Sequence, residues 1–136
     1  MTSQNQISAI LVDDDEDTLE VFSECLQLEN ISVLDTCKNG LHAIKSFEKH
    51  RPDLVLLDIM MPNYDGFFAI EGIRNIAPNT KFLIITADIS EKTVERLREM
   101  ERIKILYKPC EVDDILTEIK ALGSGEISVI IENDKG

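Results

Sequence analysis

The chain has little cysteine. Cys25, Cys37 and Cys110 are odd in number, widely spaced and without a Cys-x-x-Cys pair. That pattern suggests neither a disulfide framework nor a zinc site, and it points to a reducing compartment, the cytoplasm. Basic residues are also scarce: 14 Lys and Arg stand against 26 Asp and Glu, a net charge of −12. A surface of that charge repels phosphate backbones and anionic headgroups, which excludes sequence-independent binding to nucleic acid or to a membrane. No apolar run approaches the length of a membrane span, and the opening Met1-Thr2-Ser3-Gln4-Asn5-Gln6 lacks both the basic start and the apolar stretch of an export signal. A soluble protein is expected, and its 136 residues suffice for one domain with a real core but not for two.

What the chain has is an alternation of short apolar runs with segments of helical periodicity. Residues 7–12 read as a first strand, and 16–28 as a helix with Leu19, Phe22 and Leu26 on one face and Asp17 or Thr18 as its cap. A second strand is expected at 31–34, a turn at Asn39-Gly40, and a helix with Leu41, Ile44 and Phe47 inward that Arg51-Pro52-Asp53 stops. Residues 54–57 are apolar throughout, as in a strand covered on both faces. A third helix carries Phe67, Ile70 and Ile73 and closes before Pro78; a fourth strand spans 82–85. The helix expected at about 90–101 has a narrow apolar stripe, Val94, Leu97 and Met100, and should be the least buried. A fifth strand at 103–107 and a last helix at 112–122, with Ile115, Leu116 and Ile119 inward and Gly123 as C-cap, complete the pattern. Because parallel crossovers are right-handed, this order predicts an α/β domain at 7–122, a doubly wound five-stranded parallel sheet with helices on both faces. A short extension, 1–6, precedes it and a tail, 123–136, follows.

Three of the apolar runs end in polar residues: Asp13-Asp14-Asp15 after the first strand, Asp58 after the third and Lys108-Pro109 after the fifth. In an open parallel sheet these meet at one edge, where such folds bind ligands. Carboxylates gathered there repel one another and suit a hard divalent cation, while Lys108 offers a positive charge to an anion. Cation, anion and carboxylate nucleophile together point to phosphoryl transfer to an aspartate.

With Val12-Asp13-Asp14-Asp15, Asp58-Ile59-Met60-Met61-Pro62 followed by Asp65-Gly66, Thr86-Ala87 and Lys108-Pro109 in order and spacing, the chain resembles the receiver domains of two-component response regulators from about residue 7 to 122. The resemblance implies a flavodoxin-like (βα)5 sheet of strand order 2-1-3-4-5. It also implies Asp58 as phosphoacceptor, Mg2+ held by Asp13, Asp14, Asp58 and the Met60 carbonyl, and Thr86 and Lys108 as phosphoryl contacts. The family carries an aromatic residue three positions before its lysine, where this chain has Ile105; Tyr107 lies on the same strand face. The Gly-Ala pair common before the fifth strand is also missing. The residues that flank the attacking water in the family are here Met60 and Asp88, which predicts slow self-dephosphorylation.

Each of these residues also has a plainer reading. The acidic run can be a solvated helix start, Thr86 a cap and Lys108 a surface lysine; their joint placement favours the site. His42 and His50 read as helix-surface residues, Met60-Met61 as loop packing, Tyr64 as a loop anchor and Gly123-Ser124-Gly125 as a linker. The function expected is a single-domain signalling switch, not a turnover enzyme. It would accept a phosphoryl group from a histidine kinase or phosphotransfer protein and then bind a downstream protein through the face around Val94, Leu97, Ile105 and Ile115. The alternatives are a phosphate-independent module of the same fold, a receiver fragment of a hybrid kinase, and a metal-dependent phosphatase using Asp13-x-Asp15. Ile127, Val129, Ile130 and Ile131 predict a further strand at 126–131, paired with the fifth strand or with a second copy in a dimer.

Overall fold

The computed structural model describes residues 6–123. Five parallel strands, β1 (Ser8–Val12), β2 (Ser32–Cys37), β3 (Leu54–Leu57), β4 (Lys81–Thr86) and β5 (Ile103–Tyr107), form one sheet in the order β2-β1-β3-β4-β5. The helices are α1 (Glu16–Leu28), α2 (Gly40–His50), α3 (Gly66–Ile76), α4 (Glu91–Arg98) and α5 (Val112–Gly123). The five-stranded parallel sheet is the one expected from the alternation, and its order is the one the resemblance implies. The tail strand at 126–131 lies outside the described residues.

The two-residue period of the strands sorts their side chains into two cores. Ile10, Val12, Val55, Leu57, Phe82, Ile84, Ile103 and Ile105 pack under α2, α3 and α4; Ala9, Leu11, Leu54, Leu56, Leu83, Ile85 and Leu106 pack under α1 and α5. Both faces are therefore dry, which is why β3 is apolar at every position. Tyr107 joins Ile105 on the first face, as alternation requires. Lys104, on the opposite face, is buried and offset by Glu118 of α5 at 3.3 Å.

Several boundaries differ from expectation. β2 starts at Ser32 and continues to Cys37, past the expected end at residue 34. The polar Asp35-Thr36 pair hides this extension, but an edge strand tolerates polar residues, and Asp35 and Thr36 still pair with Ile10 and Leu11 of β1. The cap of α1 is Asp15, not Asp17 or Thr18; Thr18 instead donates its hydroxyl to the Asp15 carboxylate. In α2, Ala43 and Phe47 are buried, whereas Leu41 and Ile44 are half-buried. α4 ends at Arg98, and Leu97 is its one buried residue, so it is the weakly buried helix that its stripe predicts. The turn before β5 is made without glycine by Arg102 at φ 58°, and the Arg74 guanidinium holds it by donating to the Glu101 and Arg102 carbonyls.

Two glycines mark close backbone approaches. A Cβ on Gly66 would lie 2.6 Å from the Ile59 Cα and 2.9 Å from the Asp58 carbonyl oxygen; one on Gly40 would lie 2.6 Å from the Asp65 carbonyl oxygen. Both lock the loop between β3 and α3, Gly66 by donating to the Ile59 carbonyl at 3.1 Å and Gly40 to that of Tyr64 at 2.7 Å.

Candidate functional site

β1, β3 and β5 end at Val12, Leu57 and Tyr107, so Asp13, Asp58 and Lys108 are the first residues beyond the sheet's carboxyl edge. Val12 pairs with Leu57, which sets Asp13 beside Asp58. Lys108 starts two strands from β3, and its long side chain crosses the end of β4 to reach both acids. Its Nζ lies 3.2 Å from Asp13 Oδ2 and 3.1 Å from Asp58 Oδ2. The peptide bond from Lys108 to Pro109 is cis.

The backbone holds these side chains in place. Asp13 donates its amide to the Cys37 carbonyl at 3.0 Å, and its Oδ1 accepts the Asp15 amide at 2.9 Å. Asp58 donates its amide to the Val12 carbonyl at 3.0 Å and accepts the Met60 amide on Oδ1 at 3.0 Å. Each carboxylate thus keeps one oxygen on the backbone and turns the other to Lys108. Both residues are only 7% exposed. Burial raises the Asp13 carboxyl above the usual range, and the Asp58 charge adds to this against the pull of Lys108 and the Asp15 amide. Burial pulls the Lys108 ammonium down, but Asp58 and Asp13 outweigh it and hold it above the ordinary lysine value. Asp14 is exposed, yet its carboxylate, with those of Asp13 and Asp58, falls in a cluster whose ligand atoms lie within 4.8 Å of one another. Such an all-oxygen donor set, with more negative charge than one lysine neutralises, fits a hard divalent cation.

Thr86 closes β4 and is fully buried. Its Oγ1 accepts the Asp88 amide at 3.1 Å. Asp88 in turn accepts the Ser90 amide at 2.9 Å and the Thr93 hydroxyl at 2.7 Å, bonds that hold its carboxyl below the usual range, the Thr93 bond foremost. Met60, half exposed, shares the rim of a cavity of about 580 Å³ with Asp88, Lys92 and Arg96. Arg96 lies over the Phe67 ring, 3.8 Å from its centroid.

Sequence reading placed all six site positions at this edge, and Asp13, Asp14, Asp58 and Lys108 are brought into one cluster. The downstream face is different: Leu97, Ile105 and Ile115 are buried, and Val94 is half-buried. They lie beneath that face and do not form its surface. His42 and His50 are not plain surface residues either, since both approach Asp35 of β2. Their spacing with Ser46 along α2, four residues at each step, was the available signal.

The family model for the response regulator receiver domain matches residues 9–120. The sporulation initiation phosphotransferase F of Bacillus subtilis is 29% identical over 111 residues, 82% of this chain and 89% of that protein. The transcriptional regulatory protein PdtaR of Mycobacterium tuberculosis is 31% identical over 82% of this chain, which spans only 54% of that protein, about half its length. Among solved structures, a CheY-like receiver domain protein from Methanospirillum hungatei superposes with a TM-score of 0.80 at 23% identity, covering 88% of this chain and 95% of that one. The chain belongs to the response regulator receiver domain family. Members are signalling proteins, phosphorylation-dependent switches of two-component systems that work with histidine kinases or phosphotransfer proteins and bind Mg2+ in an acidic pocket. Among the described residues no helix is long and apolar enough to cross a membrane.

Proposed function

We propose that this chain is a cytoplasmic signalling switch, domain 7–122, that accepts a phosphoryl group on Asp58 and acts by changing partner affinity, not by turning over a substrate. The observation that carries this reading is the pair of buried carboxylates, Asp13 and Asp58, sharing the Lys108 ammonium at 3.2 and 3.1 Å on the sheet's carboxyl edge. The free thiols Cys25, Cys37 and Cys110 suit the reducing compartment.

Asp58 Oδ2 attacks the phosphorus of a phosphohistidine; the O–P bond forms as the P–N bond breaks, and the imidazole nitrogen keeps the electron pair. Mg2+ held by Asp13, Asp14, Asp58 and the Met60 carbonyl would offset charge on the transferring group. Lys108 already lies on the attacking carboxylate and follows the charge onto a phosphoryl oxygen. Asp13 is held by its backbone bonds, so little reorganisation is needed. Incubation with magnesium and acetyl phosphate, followed by intact mass measurement, should add one phosphoryl group. A folded chain that gains none is instead a phosphate-independent module.

The signal leaves through Thr86. To meet a phosphoryl oxygen its hydroxyl donates there while its oxygen still accepts the Asp88 amide, so a shift of Thr86 pulls on Asp88, which holds the start of α4 through Ser90 and Thr93. α4 has little burial with which to resist. Hydrogen exchange with magnesium and beryllofluoride should therefore change along α4, β5 and α5, the face proposed for the downstream protein. A change confined to α2 would contradict this.

Decay of the acyl phosphate should be slow. The Met60 thioether obstructs water in line with the bond, and Asp88 spends its carboxylate on α4 instead of orienting water. Met60→Asn should accelerate decay by about tenfold, within the usual reach of positioning effects. An unchanged or slower decay, followed by the loss of the added mass, would remove the steric argument.

A further inference from the structure

On the far edge of the sheet a second cluster of metal-binding side chains forms, made of Asp35, Cys37 and His42, with ligand atoms within 4.8 Å of one another. Asp35 and Cys37 are two apart on β2, so both face α2. His42, Ser46 and His50, four apart at each step, make one stripe along α2. All three converge on a single oxygen: Ser46 Oγ donates to Asp35 Oδ2 at 2.7 Å, and His42 Nε2 and His50 Nε2 each stand 3.9 Å from it. The other carboxylate oxygen accepts the Thr36 amide at 2.9 Å.

We propose that Asp35, Cys37 and His42 form a binding site for a divalent transition ion of the zinc class, separate from the magnesium pocket, and that His50, which lies near Asp35 but outside that cluster, turns in as the fourth ligand. The donor set selects this class, because imidazole and thiolate favour zinc and its neighbours whereas magnesium takes oxygen ligands and keeps its water. The spacing agrees. Two ligands of a tetrahedral zinc, each bonded at roughly 2.0–2.3 Å, stand about 3.5 Å apart, so the His42 nitrogen at 3.9 Å from the carboxylate needs only a small side-chain rotation, whereas His50, equally near Asp35 but outside the three-residue cluster, must turn further. Ser46 and the Thr36 amide already orient Asp35, the supporting role that outer groups play at metal sites. The site is open on one side, with the His42 side chain 48% and the His50 side chain 27% exposed, while Cys37 forms its buried floor. Uptake of the ion displaces the Cys37 thiol proton to solvent. Cysteine spacing alone does not suggest such a site, because its ligands come from a strand and a helix that only the fold brings together.

The full chain, with magnesium in large excess to fill the acidic pocket, is titrated with zinc by calorimetry, and cobalt(II) is used as an absorbing substitute. One zinc should bind, and cobalt should show the intense visible bands of a tetrahedral site with a thiolate-to-cobalt charge-transfer band. His42→Gln and His50→Gln, both partly open to solvent, should each weaken zinc binding by about tenfold or more. Cys37→Ser should remove the charge-transfer band. Unchanged zinc affinity in either histidine variant, or cobalt binding without the thiolate band in the native chain, overturns the site and assigns any bound zinc to the acidic pocket or to scattered surface groups.

Discussion

Asp58→Ala should take up no phosphoryl group from acetyl phosphate and magnesium under conditions in which the native chain gains one. Asp58 is the carboxylate that Lys108 contacts at 3.1 Å and the Met60 amide orients at 3.0 Å, so its removal takes away the proposed nucleophile and leaves the charge-neutralising groups with nothing to act on. The fold should survive. Two buried acids share one lysine in the native chain, and the substitution leaves Asp13 and Lys108 as a balanced pair at 3.2 Å. The melting temperature without magnesium should therefore equal or exceed the native one, as is common where a site sets like charges together. Intact mass and a thermal melt check both halves. Labelling that persists would move the nucleophile to another acid, with Asp15 the first to examine. Its position as the α1 cap, tied to Thr18, makes it a poor candidate.

Gly66→Ala should damage both stability and phosphorylation, although it adds only a methyl group. That methyl would lie 2.6 Å from the Ile59 Cα and 2.9 Å from the Asp58 carbonyl oxygen, and backbone atoms cannot rotate away as a side-chain tip can. Overpacking of this kind costs about 2 kcal/mol. The displaced segment carries Asp58 and Met60, so the rate of labelling should fall by roughly tenfold as the nucleophile leaves its aligned position. Gly40→Ala is the natural comparison. It pushes on the Asp65 carbonyl at 2.6 Å, farther along the same loop, and should lower stability with less effect on labelling. Urea denaturation and the initial rate of mass gain separate the two effects. Native stability in Gly66→Ala would mean that the loop yields, and the packing account would be wrong.

The fold was legible because its signals are local. Continuous apolar runs such as Leu54–Leu57 and the helical spacing of Phe67, Ile70 and Ile73 report burial on two faces and on one face, and parallel crossovers leave few ways to connect them. The misread end of β2 and the misread cap of α1 share a cause: β2 beyond Leu34 and the α1 cap at Asp15 are polar, and there hydrogen bonding, not burial, decides where an element stops or how it is capped. Turn geometry was hidden in the same way, since Arg102 in a left-handed conformation depends on the distant Arg74.

The sequence by itself determined the alternation of strands and helices and the edge at which Asp13, Asp14, Asp58 and Lys108 meet, because each ends or follows an apolar run; the strand order and the roles proposed for these residues and Thr86 came with the family resemblance. Tertiary structure alone decided what those residues touch. It set the Lys108 ammonium between two carboxylates, turned Asp88 toward α4, buried Leu97, Ile105 and Ile115 beneath the face they mark, and drew His42 and His50 to Asp35. The physical reason is range: burial and periodicity are written along the chain, while distances between side chains arise only when separate strands and helices pack.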